Sequence, residues 1–267
     1  MSENPVLVTR PAPGVAEVRL NRPDKLNALT PAVFRALAEV GQRLAAEADL
    51  RAVVLCGAGR AFCAGLDLTA FGSAADSIAP GGLAARTHGL ANLYQSAGWA
   101  WRTLPVPVVA ALTGVTYGGG LQIALGADMR IARADTRLSV MEITWGLVPD
   151  MAGMVLMQKL VREDVLRDLC YTGRVVTGDE AKALGLVTAL DDDPHAAALE
   201  KVREIAAKSP SAVRAAKRLL NLASSGSPES VLLAESYEQA ALLGSAEQRE
   251  CVQARLENRA PAYAPKG

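Results

Sequence analysis

Short apolar segments of strand composition alternate with helical segments over roughly the first two-thirds of this chain. The strand-type runs include residues 5–10, 15–20, 51–59, 106–114 and 128–134. Between two of these runs, a helix is predicted to begin at Thr30-Pro31, because apolar residues then recur on one helical face at Val33, Leu37, Val40 and Leu44. This alternation predicts an α/β domain, in which helices cover a sheet.

The pattern changes in the later part of the chain, where helical segments follow one another. A helix is already predicted over 83–101, and from Met151 onward helical segments dominate, with three longer ones ending near Asn258. The change from alternating strands and helices to consecutive helices lies between Asp191 and Glu200. We therefore divide the chain into residues 1–195 and a helical region, 196–267.

Charge and cysteine content exclude several functional classes. Lys plus Arg and Asp plus Glu both number 28, so the balanced chain offers no electrostatic case for nucleic acid or a membrane surface. The N-terminus lacks the pattern of a signal peptide. Four cysteines without CxxC spacing indicate reduced thiols in a cytoplasmic protein, and two histidines exclude a histidine-rich metal site. We expect no metal.

Three consecutive glycines, Gly118–Gly120, follow a strand and open a helix. Backbone N–H groups at a helix start have no partners and lie at the positive end of the helix dipole. The run therefore suits a phosphate, or an oxygen that becomes negative during a reaction, although a close packing turn is the alternative interpretation. No P-loop or GxGxxG spacing is present.

A second loop of the same type, GRAFCAGLDL at 59–68, precedes the glycine run. If its Leu66 N–H faced the Gly119 N–H, the two donors would converge on one oxygen and form an oxyanion hole.

Five motifs together make the chain recognisable, and they occur in a characteristic order. They are NRPDKLNAL, GRAFCAGLDL, GVTYGGGLQIALGADMRIA, MEITWGLVPDMAG and TGRVVTGDEAKALGLV. In them the chain resembles the crotonase superfamily of enoyl-CoA hydratases, enoyl-CoA isomerases and dienoyl-CoA isomerases, from about Val6 to Leu220. The resemblance implies a spiral of β-β-α repeats, with a helical C-terminal region at 196–267 that forms a homotrimer or a dimer of trimers.

The resemblance also implies an acyl-CoA thioester as substrate, with coenzyme A as part of the substrate and no permanently bound cofactor. The thioester oxygen would lie between the N–H groups of Leu66 and Gly119. Residues expected to contact the coenzyme A portion are Arg22, Lys25, Leu26, Ala28, Ala64, Gly65, Asp67 and Leu68. The segment 71–90 would select the acyl chain.

The acids of this chain decide which family reaction to expect. Hydratases of the family carry two glutamates, but here the first position is Gln122 and the second is Glu142. Glutamine can hydrogen-bond a water but cannot exchange a proton at neutral pH. Asp150, eight residues beyond Glu142, stands where dienoyl-CoA isomerases have an aspartate, although these usually have an acid at the Gln122 position too. We therefore predict double-bond isomerisation of an enoyl-CoA or dienoyl-CoA.

Several alternatives stay open at this point. Hydration of a 2-enoyl-CoA and non-catalytic binding of acyl-CoA are the alternatives to isomerisation. The presence of Glu142 and Asp150 argues against non-catalytic binding. The individual residues also have alternative interpretations. Glu142 lies in an apolar stretch that should raise its pKa, as suits a general base.

Asp150 precedes a helical segment, so it could cap that helix instead of acting in catalysis. Lys217 and Arg218 either reach coenzyme A phosphates or occupy an exposed helix face.

Overall fold

The structure is a computed structural model and describes residues 4–67, 69 and 82–263. The strands are β1 (Val6–Ala12), β2 (Val15–Leu20), β3 (Ala52–Gly57), β4 (Val108–Leu112), β5 (Val115–Tyr117), β6 (Met129–Ala132), β7 (Arg137–Ser139), β8 (Val176–Thr177) and β9 (Ala189–Leu190). The described residues form a six-stranded sheet, ordered β1-β2-β3-β4-β6-β9, and a three-stranded sheet, ordered β5-β7-β8. In the larger sheet, β1 and β2 are antiparallel, and the other neighbours are parallel. The predicted α/β class is confirmed.

The described residues form ten α-helices, numbered here in chain order. They are α1 (Pro31–Ala46), α2 (Leu93–Thr103), α3 (Gly119–Leu125), α4 (Gly153–Met157), α5 (Glu163–Thr172), α6 (Gly178–Leu184), α7 (Pro194–Ala206), α8 (Pro210–Ala223), α9 (Pro228–Leu242) and α10 (Ala246–Leu256). Short 3-10 turns lie at Pro23–Lys25, Gly82–Ala84 and Glu142–Trp145.

Several predicted boundaries are corrected by the structure. The helix expected over 83–101 begins only at Leu93, because Asn92 and Gln95 form a capping box there and Gly89 just before it has a φ of +67°. Helix α1 begins at Pro31 as predicted, although the Thr30 hydroxyl makes no capping hydrogen bond. Four long helices, α7 to α10, replace the three expected near the C-terminus.

The two faces of the large sheet are covered differently. One face packs with α1 and α2 around large buried side chains such as Phe34, Leu37 and Trp101. The other face packs against α7, where Ala198 and Val202 meet the sheet. Helix α7 thus lies on the core, and the proposed division at residue 195 stays a prediction. No helix within the described residues is both long and apolar enough to cross a membrane.

The structure gives Lys217, on α8, a role that neither sequence interpretation foresaw. Its side chain is 5% exposed, and its Nζ donates to Asp128 Oδ2 at 2.7 Å, the Val106 carbonyl at 2.8 Å and the Trp101 carbonyl at 3.0 Å. Burial lowers the pKa of this ammonium. Three protein acceptors occupy the buried ammonium, which leaves no N–H for a coenzyme A phosphate, and the side chain does not lie on an exposed face. Both alternatives are therefore wrong for Lys217.

Arg218, the next residue, pairs with Glu238 of α9 at 2.6 Å on the surface. It therefore fits the exposed-face interpretation. The two neighbouring cations differ mainly in burial, so they provide a matched pair of substitutions.

We predict that Lys217→Met lowers the free energy of unfolding by about 3–5 kcal/mol, because the partly buried Asp128 and the buried carbonyls of Trp101 and Val106 then lose their cation. The matched control, Arg218→Met, should cost at most about 1 kcal/mol, since it removes an exposed ion pair. Urea unfolding followed by circular dichroism measures both. Equal losses for the two variants would contradict the structural role of Lys217.

Candidate active site

One cavity of about 610 Å³ collects most of the residues that the sequence singles out. It opens where the loop after β3, the glycine run before α3 and the turn after β7 meet. Its wall includes Lys25, Ala28, Ala64, Gly65, Leu66, Asp67, Tyr94, Gly118, Gly119, Gln122, Met141, Glu142, Trp145, Asp150 and Met151. Aliphatic and aromatic side chains make up much of the remaining wall, as is typical of a ligand site.

The glycine run turns the chain from β5 into α3. Gly118 has a φ of +50° and a ψ of −122°, a conformation that side chains disfavour, and its N–H donates to the Ser139 carbonyl at 3.0 Å. A Cβ at Gly118 would lie 3.5 Å from Glu142 Oε1. The carboxylate of Glu142 therefore sits directly against the start of the glycine run.

The loop after β3 approaches the same place from the other side. Gly65 has a φ of +91°, and a Cβ there would lie 4.0 Å from the Gly119 nitrogen. Within the described part of the chain, we find no acceptor for the N–H of Leu66 or of Gly119. Both residues line the cavity. Their joint action on one oxygen stays a prediction.

Asn27, which the sequence analysis missed, holds this loop in place. Its side-chain amide is buried and donates to the carbonyls of Ala58 and Ala61, both at 2.9 Å, while its oxygen accepts from the Arg22 N–H at 2.8 Å. Leu29 and Leu66 then pair as in a parallel sheet. The motif NRPDKLNAL thus fixes the backbone of the second loop, a long-range role without a local signal.

The residues expected to contact coenzyme A are only partly brought together. Those on the cavity wall are Lys25, Ala28, Ala64, Gly65 and Asp67, whereas Arg22 and Leu26 are not on it, and Leu68 lies outside the described residues. Arg22 instead donates to Asp67 Oδ2 at 3.0 Å and to the Ala28 carbonyl. A hydrogen bond from the Thr69 hydroxyl, together with those from Arg22, lowers the pKa of Asp67. Arg22 therefore stabilises the cavity wall through its contacts with Asp67 and Ala28.

Gln122, on α3, uses both ends of its side-chain amide within the protein. Its Nε2 donates to Glu142 Oε1 at 2.6 Å, and its Oε1 accepts from the N–H groups of Met151 at 2.8 Å and Gly153 at 2.9 Å. The side chain is buried. Because the carbonyl oxygen already has two donors, Gln122 positions Glu142 and the start of α4.

Glu142 is a buried acid with only one oxygen occupied. The residue is 9% exposed, and within the described structure its Oε2 has no hydrogen-bond partner. Burial raises the pKa of Glu142, and the negative charge of Asp150 adds to this, whereas the hydrogen bond from Gln122 acts in the opposite direction. A carboxyl of raised pKa with one free oxygen on a cavity can accept and return a proton.

Asp150 lies on the same cavity wall, and its side chain is accessible from the cavity. The surrounding protein still removes part of its hydration, and this desolvation raises the pKa of the carboxyl. The capping interpretation is wrong. Helix α4 begins at Gly153 after Ala152, whose φ is +71°, and no side chain at the cap position bonds to it. The Gly153 N–H bonds to Gln122 instead.

Tyr94 is a further residue of the cavity that the sequence analysis missed. Its hydroxyl is buried and has no partner among the described residues, and its ring meets Phe34 edge-on at 4.9 Å. Burial raises its pKa, and the charge of Asp150 contributes. No local sequence signal marks Tyr94 as a cavity residue, because its place on the cavity wall depends on how α2 packs against α1.

Comparison with known proteins agrees with this geometry. A family model described as enoyl-CoA hydratase/isomerase matches residues 11–266. The mitochondrial Delta(3,5)-Delta(2,4)-dienoyl-CoA isomerase of Mus musculus is 32% identical over 221 residues, 79% of this chain, and the match spans about two thirds (67%) of that relative's length. Enoyl-CoA hydratase domain-containing protein 2 of Mus musculus, also mitochondrial, is 30% identical over 97% of this chain and 87% of that protein.

The crystal structure of an enoyl-CoA hydratase from Bacillus anthracis has the same fold. It superposes with a TM-score of 0.88 at 28% identity, covering 98% of this chain and 100% of that one. The relatives are thus named both as isomerases and as hydratases. The crotonase-like fold is confirmed, and the chain belongs to the enoyl-CoA hydratase/isomerase family.

Proposed function

We propose that the protein is an isomerase that shifts the double bonds of an enoyl-CoA or dienoyl-CoA thioester through an enolate. The observation that carries the proposal is the state of Glu142, a buried carboxyl of raised pKa. An amide holds one of its oxygens, and the other is buried without a hydrogen-bond partner among the described residues. A proton beside a thioester carbonyl is weakly acidic, so removing it requires a positioned base and a stabilised oxyanion.

The first step removes a proton from the carbon skeleton. Glu142 Oε2 accepts the proton, the C–H electron pair moves toward the carbonyl, and negative charge collects on the thioester oxygen. The N–H groups of Leu66 and Gly119, which line the cavity, stabilise that oxygen. Donors fixed in a folded loop and at a helix start need no reorganisation as the charge forms.

The second step returns a proton further along the chain. In an enoyl-CoA, Glu142 gives the proton back two carbons away. In a dienoyl-CoA, a protonated Asp150 supplies a proton at a more distant carbon, while Glu142 keeps the first. Both carboxyls then return to their starting states by exchanging protons with solvent before the next turnover. The position of Asp150 on the same wall, with a raised pKa, supports the longer shift.

Coenzyme A enters in this proposal as part of the substrate, and no permanently bound cofactor is required. Lys25 and Asp67 lie on the wall that would meet the coenzyme A portion. We also propose a homotrimer or dimer of trimers in the cytoplasm. Exposed apolar side chains on α9, at Leu232, Leu233 and Tyr237, support assembly through the C-terminal helices.

Hydration of a 2-enoyl-CoA is the second candidate, because the Bacillus anthracis neighbour is named a hydratase. Addition of water calls for a group that orients the water and exchanges its proton. Gln122 cannot exchange a proton, and its carbonyl oxygen already accepts two backbone N–H groups. Glu142 would therefore act without a second acid at that position, so we favour isomerisation.

Glu142→Gln should lower kcat for a 3-enoyl-CoA by about 10²–10⁴-fold, because the only change is loss of the proton acceptor. Binding of a non-reactive acyl-CoA should persist. Glu163→Gln, on the exposed start of α5, is the control and should leave kcat unchanged. Reactions run in deuterated water, with mass spectrometry of the product, separate the two candidates. Uptake of deuterium without addition of water supports isomerisation, whereas rapid hydration that survives Glu142→Gln refutes it.

Asp150→Asn should separate the two kinds of isomerisation. We expect a 3,5-dienoyl-CoA to lose turnover by at least about 100-fold, because its distant carbon then lacks a proton donor. Conversion of a 3-enoyl-CoA should change little, since Glu142 performs both transfers. Absorbance of the conjugated product follows both reactions. Equal losses on both substrates would show that Asp150 does not serve the longer shift.

Gln122→Met should move the acidic limb of the pH–rate profile to higher pH. The carboxylate form of Glu142 is the active one, so turnover falls as the pH drops through its raised pKa. Removing the Gln122 hydrogen bond, which favours the charged form, raises that pKa further. The control is Gln42→Met, an exposed residue of α1. An unmoved limb would show that Gln122 does not tune Glu142.

A further inference from the structure

Three side chains of types that bind metals meet far from the catalytic cavity. Glu17 lies on β2, Cys56 on β3 and His195 in the first turn of α7. One ligand atom from each lies within 4.8 Å of the other two. None of the three lines the cavity, so the cluster has no part in the proposed reaction.

The topology of the sheet explains why these residues meet. Strands β2 and β3 are parallel neighbours, and Glu17 pairs with Val54 and Arg19 with Cys56. Because side chains alternate between faces, Glu17 and Cys56 point to the same side of the sheet. Helix α7 packs on that side and brings His195 over the two strands.

The arrangement is organised like a ligand set. Glu17 and Cys56 are each 4% exposed, and Arg19 donates to Glu17 Oε1 at 2.5 and 3.0 Å. This leaves Glu17 Oε2 for His195 Nε2, which lies 2.7 Å away. Arg19 thus fixes which carboxylate oxygen faces the cluster. Its guanidinium also hydrogen-bonds to Cys56, where it favours the thiolate form.

We propose that Glu17 Oε2, Cys56 Sγ and His195 Nε2 bind a zinc ion. Thiolate, imidazole and carboxylate are the ligands that Zn²⁺ takes in proteins, at about 2.0–2.3 Å. Ligand atoms around a tetrahedral zinc lie roughly 3.3–3.8 Å apart. The three atoms here lie within 4.8 Å of one another, so the longest separation shortens by about 1 Å at most. The 2.7 Å separation of Glu17 Oε2 and His195 Nε2 widens by roughly 0.6–1 Å, as the hydrogen bond between them gives way to the ion. His195 is 38% exposed in its side chain and leaves a route for a water as fourth ligand.

The charges suit a divalent cation. A thiolate at Cys56 and the carboxylate of Glu17 contribute two negative charges, Arg19 contributes one positive charge, and neutral His195 adds none. The thiol proton passes to solvent when the metal binds. The bound ion would join β2, β3 and α7, and so fasten the first C-terminal helix to the sheet.

The chain offers matched controls for a metal titration. It has two histidines, so His88→Gln is the partner of His195→Gln, and Cys170→Ser is the partner of Cys56→Ser. His88 and Cys170 stand outside the cluster. The full chain, free of any affinity tag and stripped with a chelator, is titrated with Zn²⁺ and analysed for bound metal after dialysis.

We expect one zinc per chain in the natural protein and in both control variants, and loss of this zinc in His195→Gln and Cys56→Ser. Zinc should raise the melting temperature of the natural protein and leave that of His195→Gln unchanged. Co²⁺ in the natural protein should give a thiolate charge-transfer band, a readout that requires no variant. A natural protein that retains no zinc and shows no such band overturns the proposal, as does zinc retained in both His195→Gln and Cys56→Ser.

Discussion

The side-chain amide of Gln122 is the contact on which the candidate active site depends. It donates to Glu142 and accepts from the N–H groups of Met151 and Gly153, so one residue of α3 fixes both the acid and the start of α4. A Cβ at Gly153 would lie 2.6 Å from Gln122 Oε1, which explains why a glycine stands there. A glutamate in place of Gln122 would set a second negative charge against Glu142 and change both packing and chemistry.

Two buried charges in this protein differ in how fully the surrounding protein satisfies them. Lys217 is satisfied on every side, by Asp128 and two backbone carbonyls, and nothing is left for a ligand. Glu142 has one oxygen held and one unpartnered within the described residues. An unpartnered buried carboxylate oxygen costs folding free energy. The rest of the fold offsets that cost, and the function proposed above uses this oxygen as the proton acceptor.

The fold of this family supports more than one reaction, and the relatives carry names of both kinds. In this chain the loop after β3 and the glycine run meet at one cavity, with Leu66 and Gly119 on its wall. Asn27 bonds the segment 21–29 to the loop after β3, and this helps to fix the backbone that carries Leu66. Glu142 and Asp150 lie on the same cavity wall, and in the function proposed above they decide which reaction takes place.

The sequence by itself determined the α/β class, the start of α1, the glycine run and the acids Glu142 and Asp150, because periodicity, helix-start residues and motif spacing are local signals. The tertiary structure alone decided the short strands such as β8, whose two residues carry no period. It alone also turned Arg22 toward Asp67 and joined Gln122 to Glu142. The physical reason is that a residue's type sets which bonds it can make, whereas its partner is chosen by packing between segments distant in the chain.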